Sequence, residues 1–347
     1  MVIKSSRLQP GDTIAVITPS WAGPKMYPWV YELGLNRLRD LGFEIKEMRH
    51  TRSSNEELWL HPEKRAADLH AAFQDPNIKA IIASIGGEDS IRTLPHINFE
   101  LLLKHPKILM GFSDTTTLLA ALNLRGLITF HGPTVMAGLA ENGKPNPEFI
   151  NHLINFLLEP CHQFVYKPFS YWTDETLDWA DIKNLEKNKH YFPQEGWKVI
   201  QQGGVAEGTL FGGCLEVLDF LKGTEYWPKR DFWDGKILFL ETSEEKPSLA
   251  SIRRSLRNYG VQGVLNKIKG LMVGRPFGYN NAEKQDLYAV IQDVVIKEFH
   301  ATSIPIITNM DFGHTSPQWI MPLGIQARID AMNKTFTLLE SPFLDKA

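Results

Sequence analysis

Cysteine is nearly absent from this chain. Two residues, Cys161 and Cys214, among 347 cannot build a disulfide framework or a cysteine-rich metal site. No H-E-x-x-H or comparable spacing offers a metal other ligands, so no metal and no cofactor is expected. Long apolar runs are missing as well. Nothing approaches the roughly 20 residues that span a bilayer, and Met1 to Arg7 lack the apolar core of a signal peptide. Neither sign of charge is in clear excess: 37 basic side chains face 40 acidic ones, a formal net charge of −3. That leaves no electrostatic footprint for nucleic acid or an anionic membrane. Internal repeats and low-complexity tracts are also lacking. Together these absences point to a cytoplasmic globular protein with a small-molecule partner.

What the chain does have is regular alternation of strand and helix signals. Thr13–Thr18 is a short β-branched run bounded by Gly11 and Pro19. A helical pattern follows, with Val30, Leu33, Leu38 and Leu41 near one face, and Gly42 ends it. Phe43–Met48 alternates like a strand, and a second helix is expected to start at Pro62, a favoured first-turn residue. Ala80–Ile85 is stopped by Gly86-Gly87, and a fourth apolar run ends at Met110. Such β-α-β alternation predicts an α/β fold, a mostly parallel flavodoxin- or Rossmann-like sheet with helices on both faces. Its sites belong at the carboxyl ends of the strands. Residues 1–158 are read as this N-terminal domain and 159–207 as a long aromatic-rich connection of weak periodicity. Residues 208–347 are read as a second α/β domain, with strands at Lys236–Glu241, Gly270–Gly274 and Ile304–Ile307. Its helices are expected at Leu215–Leu221, Ser248–Asn258 and Glu283–Phe299.

The run Lys107-Ile108-Leu109-Met110-Gly111-Phe112-Ser113-Asp114-Thr115 reads as a buried strand, a sharp turn with serine at its apex, and a helix start. That geometry holds a serine hydroxyl out as a nucleophile. Thr115 stands where the last glycine of a G-x-S-x-G elbow would be, and the pattern equally fits a serine that only caps a helix. An activated serine needs a base and an oxyanion site. The N–H of Asp114, and donors from the Gly86-Gly87 turn, would supply the latter. His314, after an apolar strand, stands out as the base, though His131 also follows an apolar segment. Glu241 ends an apolar strand, where it would either orient a histidine or face water.

These segments occur in an order that resembles the LD-carboxypeptidase family of serine peptidases, and within it the branch similar to the microcin C self-immunity peptidase. The resemblance rests on Gly86-Gly87 with Ser90 and Leu94-Pro95, on Gly111-Phe112-Ser113-Asp114-Thr115-Thr116, and on His131-Gly132-Pro133. It continues through Gly208, Gly212-Gly213, Leu238–Glu241, Gly274-Arg275-Pro276 and Gly313-His314-Thr315. It implies Ser113 as nucleophile, His314 as general base and Glu241 as its partner, in a cleft between the two domains. It implies an oxyanion hole from Asp114, Gly86 and Gly87, and a homodimer. A linker tryptophan is expected to stack on a nucleobase, Trp179 first and Trp172 second, with ordinary loop packing as the alternative. Ser90 and Cys214 are carried over as substrate-binding positions; Cys214 replaces the family's usual asparagine.

Three functions follow. A serine hydrolase that detoxifies a peptidyl-aminoacyl nucleotide leads. A murein carboxypeptidase of cell-wall recycling is the alternative. A non-catalytic ligand-binding protein on the same scaffold is the third, and it would have no need of Ser113, Glu241 and His314 together. A nucleotide-cofactor oxidoreductase is disfavoured, because Pro19-Ser20-Trp21-Ala22-Gly23 is no G-x-G-x-x-G fingerprint.

Overall fold

Apolar, β-branched runs in the first third of the chain pair into one parallel sheet. In a computed structural model that describes residues 2–344, the strands are β1 (Thr13–Ile17), β2 (Glu44–Glu47), β3 (Ile78–Ala83), β4 (Ile108–Gly111) and β5 (Thr129–His131). They lie in the order β2-β1-β3-β4-β5, all neighbours parallel. This is the doubly wound, flavodoxin-like order. β3 and β4 are covered on both faces, which is why they read as continuous apolar runs, whereas the edge strand β2 is largely exposed. Helices α1 (Pro28–Asp40) and α2 (Pro62–Gln74) both open on proline, where the missing N–H leaves no bond unmade. Helix α3 (Thr116–Asn123) is buried along its whole length. A helix apolar on every side belongs in an interior, and α3 packs between the first sheet and the second.

The second sheet has a parallel centre: β6 (Val205–Cys214), β7 (Lys236–Glu241), β8 (Gly270–Gly274) and β9 (Ile306–Met310). Antiparallel strands flank it. Gln326–Asp330, Thr335–Leu338 and Phe164–Val165 lie on one side and Lys198–Gln201 on the other. The 159–207 connection is therefore not free of regular structure. Its two edge strands are only partly covered, which explains their weak apolar signal. Conversely, Met321–Leu323 pairs with β5, so the chain's last part returns to complete the first sheet. Among the described residues, no helix is long and apolar enough to cross a membrane.

One consequence positions the site. The carboxyl ends of β1, β3, β4 and β5 and those of β7, β8 and β9 all lead into residues lining one cavity of about 1080 Å³. Two parallel sheets thus aim their strand ends at the same space.

Candidate active site

Ser113 sits on the turn that follows β4 and holds φ of +57°. A non-glycine residue in that region carries about 1–3 kcal/mol of strain and persists only where its surroundings enforce it. Here they do. Gly111 lacks a side chain where a Cβ would lie 2.8 Å from Thr115 Cγ2, so the turn folds back tightly on its own strand. Thus the elbow forms without a glycine at position 115. Gly86 presses against the serine: a Cβ there would lie 2.8 Å from Ser113 Cβ and 2.9 Å from its Oγ. The N–H groups of Gly86, Gly87 and Asp114 donate to no acceptor among the described residues, leaving donors free near the hydroxyl.

The glycine turn is pinned from behind. Ser20 Oγ accepts from the N–H groups of Glu88 and Asp89 at 3.1 and 3.2 Å, and the buried Arg65 clasps Asp89 through two bonds of 2.6 and 2.9 Å. Ser90, expected at the substrate, lies elsewhere. It is fully buried, its Oγ donates to the Asp114 carbonyl at 2.7 Å and its N–H to Asp114 Oδ2 at 2.8 Å. Its contact is with the residue after the nucleophile, not with the cavity. Burial pushes the Asp114 carboxyl above the ordinary aspartate range.

Glu241, the last residue of β7, is 1% exposed. A charge so buried requires partners. His314 Nδ1 donates to its Oε2 at 2.6 Å, and His131 Nε2 stands 3.4 Å from Oε1. Both histidines considered from sequence therefore meet the same carboxylate. Glycines make the space: a Cβ at Gly274 or Gly313 would lie 3.0 or 2.8 Å from Glu241 Cβ. Burial alone would raise the Glu241 pKa, but the His314 charge and the bonds to both histidines hold it down, to about 2. Burial alone would lower that of His314, but Glu241 and then Glu244 raise it to about 10. His314 Nε2, the nitrogen a serine would need, stands 3.0 Å from Glu244 Oε2, at ion-pair distance but outside hydrogen-bond geometry. Ser113 and His314 line the same cavity, yet no hydrogen bond joins them in this arrangement. The loop bearing His314 is tied down by the buried pair Arg275 and Asp311, at 2.8 Å, and by reciprocal backbone bonds between Thr173 and Ser316.

An aromatic cluster also lines the cavity. Trp179 stacks on Trp21 with centroids 6.4 Å apart and planes 17° apart, and meets the edge of Tyr27. All three line the cavity. Trp21 and Tyr27 were not anticipated; Trp21 follows the carboxyl end of β1, the place where the sheet rule directs attention. Trp172 is not a lining residue. It is buried against the Arg275 guanidinium, 4.8 Å from its ring, and Phe192, because it covers the ion pair that anchors the His314 loop. Trp197 is buried too, donating to Asp311. Cys214 is fully buried with its N–H on Thr116 Oγ1, and burial pushes its thiol far up. Its Sγ lies 3.7 Å from Glu216 Oε2, and it is not among the residues lining the cavity.

The lining is strongly acidic. Glu56, Glu88, Asp89, Glu141, Asp174, Glu175, Glu244 and Glu245 contribute to it, against one lysine, Lys189, which pairs with Glu141 at 3.0 Å. Glu244 and Gln318, like the acidity itself, carried no sequence signal, since they come together only when distant loops meet.

Comparison with known proteins agrees with this geometry. Residues 14–132 match the LD-carboxypeptidase N-terminal domain and residues 207–329 the LD-carboxypeptidase C-terminal domain. YocD of Bacillus subtilis, named as a candidate carboxypeptidase, is 32% identical over 95% of this chain and 97% of its own. The microcin C7 self-immunity protein MccF of Escherichia coli is 28% identical over 95% of this chain and 94% of its own. A structure of MccF with aspartyl sulfamoyl adenosine superposes with a TM-score of 0.85 at 25% identity, covering 99% of this chain and all of that one. An MccF-like protein from Streptococcus pneumoniae, solved with AMP, gives a TM-score of 0.85 at 29% identity over 94% and 98% of the two chains. The strand-end serine, the paired domains and the whole-length similarity agree: this chain belongs to the LD-carboxypeptidase family of serine peptidases.

Proposed function

We propose that Ser113, His314 and Glu241 form a catalytic triad that cleaves the acyl C–N bond of a peptidyl-aminoacyl nucleotide. Ser113 Oγ attacks the acyl carbon while His314 Nε2 takes its proton. The carbonyl oxygen becomes an oxyanion that the free N–H groups of Asp114 and the Gly86-Gly87 turn would stabilise as negative charge develops. Collapse breaks the C–N bond, and His314 returns the proton to the leaving nitrogen. Water, deprotonated by the same histidine, then splits the acyl ester and frees Ser113. For this His314 must first part from Glu244.

The observation that carries the nucleotide reading is the wall of Trp179, Trp21 and Tyr27 in the same cavity as Ser113. Flat aromatic rings suit a base, each stacked base being worth about 1–3 kcal/mol. The AMP and aspartyl sulfamoyl adenosine complexes of the relatives support it. A murein peptide would instead bring a terminal carboxylate, and among the described residues the only lysine or arginine of the lining, Lys189, is already paired. The test is to incubate the protein with a peptidyl aminoacyl sulfamoyl adenosine and, separately, with a murein tetrapeptide, and to follow products by mass spectrometry. Cleavage of the nucleoside compound is expected, with Ser113→Ala lowering turnover on the order of a million-fold. Cleavage of the tetrapeptide alone overturns the nucleotide reading, and retention of more than about a tenth of activity by Ser113→Ala, against that million-fold standard, removes it as nucleophile.

A further inference from the structure

The chain as a whole is nearly neutral, −3 in 347 residues, yet the cavity holding Ser113 gathers eight carboxylates, of which Asp89 pairs with Arg65 and Arg92, Glu141 with Lys189, and Glu244 faces His314. The acidity is local to the cleft. Among the described residues, Glu56, Glu88 and Glu245 have no cationic partner, and Asp174 and Glu175 accept only from backbone N–H groups. A second feature points the same way. Gln318 lines the cavity while only 2% exposed, and its Oε1 meets no donor. A buried acceptor left unmatched costs free energy until a ligand supplies a donor. Lining acceptors thus outnumber donors, and a cleft lined by one sign of charge focuses its field on what enters.

We propose that this cavity selects an acyl group with a cationic side chain and discriminates against acidic ones. The inference rests on the acyl-nucleotide reading above for the leaving half of the substrate, but the selection concerns the acyl half. The carboxylates near the reacting centre do the sorting: Glu244 and Glu245 stand on the loop beside His314, and Glu88 follows the Gly86-Gly87 turn. A lysyl side chain would meet them with donors and opposite charge. An aspartyl side chain would add a ninth carboxylate to a space whose cations among the described residues, Lys189 and His314, already face carboxylates.

The experiment compares kcat/KM for lysyl and aspartyl sulfamoyl adenosine, with a parallel pair of murein-type tetrapeptides carrying lysine or aspartate at the third position. At low salt the lysyl member is expected to be favoured about 10-fold or more, as for electrostatically focused clefts. The ratio should shrink in 1 M salt, where the screening length falls to about 3 Å. The double variant Glu88→Gln, Glu245→Gln should lower the ratio with an unchanged melting temperature, both residues being exposed. Equal rates, an aspartyl preference, or a lysyl preference unmoved by both salt and the double variant overturns the selection. Whichever substrate series is cleaved reports it. Cleavage of only the tetrapeptides removes the nucleotide reading while still reading the charge preference, and cleavage of neither series overturns both.

Discussion

Two carboxylates share the His314 imidazole, and that governs how activity should respond to pH if His314 is the base. Glu241 holds His314 Nδ1 at 2.6 Å and Glu244 approaches Nε2 at 3.0 Å. Both favour the imidazolium, whereas a general base must be neutral with its Nε2 lone pair free. Activity should therefore rise with pH on the alkaline side of an ordinary histidine, whose value lies near 6.5. Glu244→Gln removes one of the two charges that raise His314, so the rising limb of kcat/KM should move to lower pH and the rate at pH 7 should increase. Glu241→Gln should instead lower the rate throughout, because the ring loses its orienting bond. Profiles of kcat/KM from pH 5.5 to 10 distinguish these; a limb unmoved in Glu244→Gln would mean that this carboxylate does not act on His314. At this scale the turn at Ser113 and the positions of Glu241 and His314 at or after strand ends were legible in the sequence, because each lies at or after an apolar run in a short motif. Glu244 was not, since an exposed glutamate in a loop looks like any solvated charge until the fold brings it to the histidine.

At the scale of elements, glycines set the distances and one ion pair sets the loop. Gly86→Ala would place a methyl 2.8 Å from Ser113 Cβ, closer than such contacts allow, against a serine whose strained backbone has little room to yield. Turnover should fall about 100-fold, as for a misplacement near 1 Å, with the circular dichroism spectrum unchanged; wild-type turnover would show that the serine can shift without loss. Arg275→Ala tests the loop. Removing one member of a buried pair leaves the other charge uncompensated, so denaturant unfolding should report a loss of about 3–5 kcal/mol, and a loss under about 1 kcal/mol would mean Asp311 is satisfied by its remaining donors, Gln194 Nε2 at 2.8 Å and Trp197 Nε1 at 3.2 Å. The elements themselves were read well where both faces are covered. Helix Leu215–Leu221 and strand Lys236–Glu241 fall where their patterns place them. Expectation ran short where structure depends on distant pairing. Gln326–Asp330 and Thr335–Leu338 alternate buried and exposed residues and pair with each other as a hairpin, but they are short, and their place in the sheet comes from pairing with Val205–Thr209 far away in the chain. Met321–Leu323 has meaning only beside β5. The expected helix Glu283–Phe299 begins at Asn281, where the capping box of Asn280 with Glu283 explains the start, and passes into a wider π-helical turn over Gln292–Glu298.

Across the whole molecule, the 159–207 connection is what turns two sheets into one enclosed site. It edges the second sheet through Phe164–Val165 and Lys198–Gln201, clamps the His314 loop through Thr173 and Ser316, and then reaches over to the first domain. There the Trp29 indole N–H donates to the Trp179 carbonyl at 2.7 Å, and the Trp179 ring lies on Trp21. The aromatic density of this stretch was visible in the sequence, but not which ring faces the cavity: Trp172 and Trp197 went to the core, and Trp179 to the wall. Because the anchoring bond uses the Trp179 main chain, Trp179→Ala removes the ring while leaving that tether in place. If the ring stacks on a nucleobase, the variant should lose about 1–3 kcal/mol of transition-state binding, roughly 5- to 150-fold in kcat/KM, on a sulfamoyl adenosine substrate. A substrate with the same acyl group but no base should be handled nearly as well as by the unaltered enzyme. Equal losses on both would show that Trp179 supports the wall without touching the ligand, and the aromatic cluster would then be a device for closing the cleft rather than for reading what enters it.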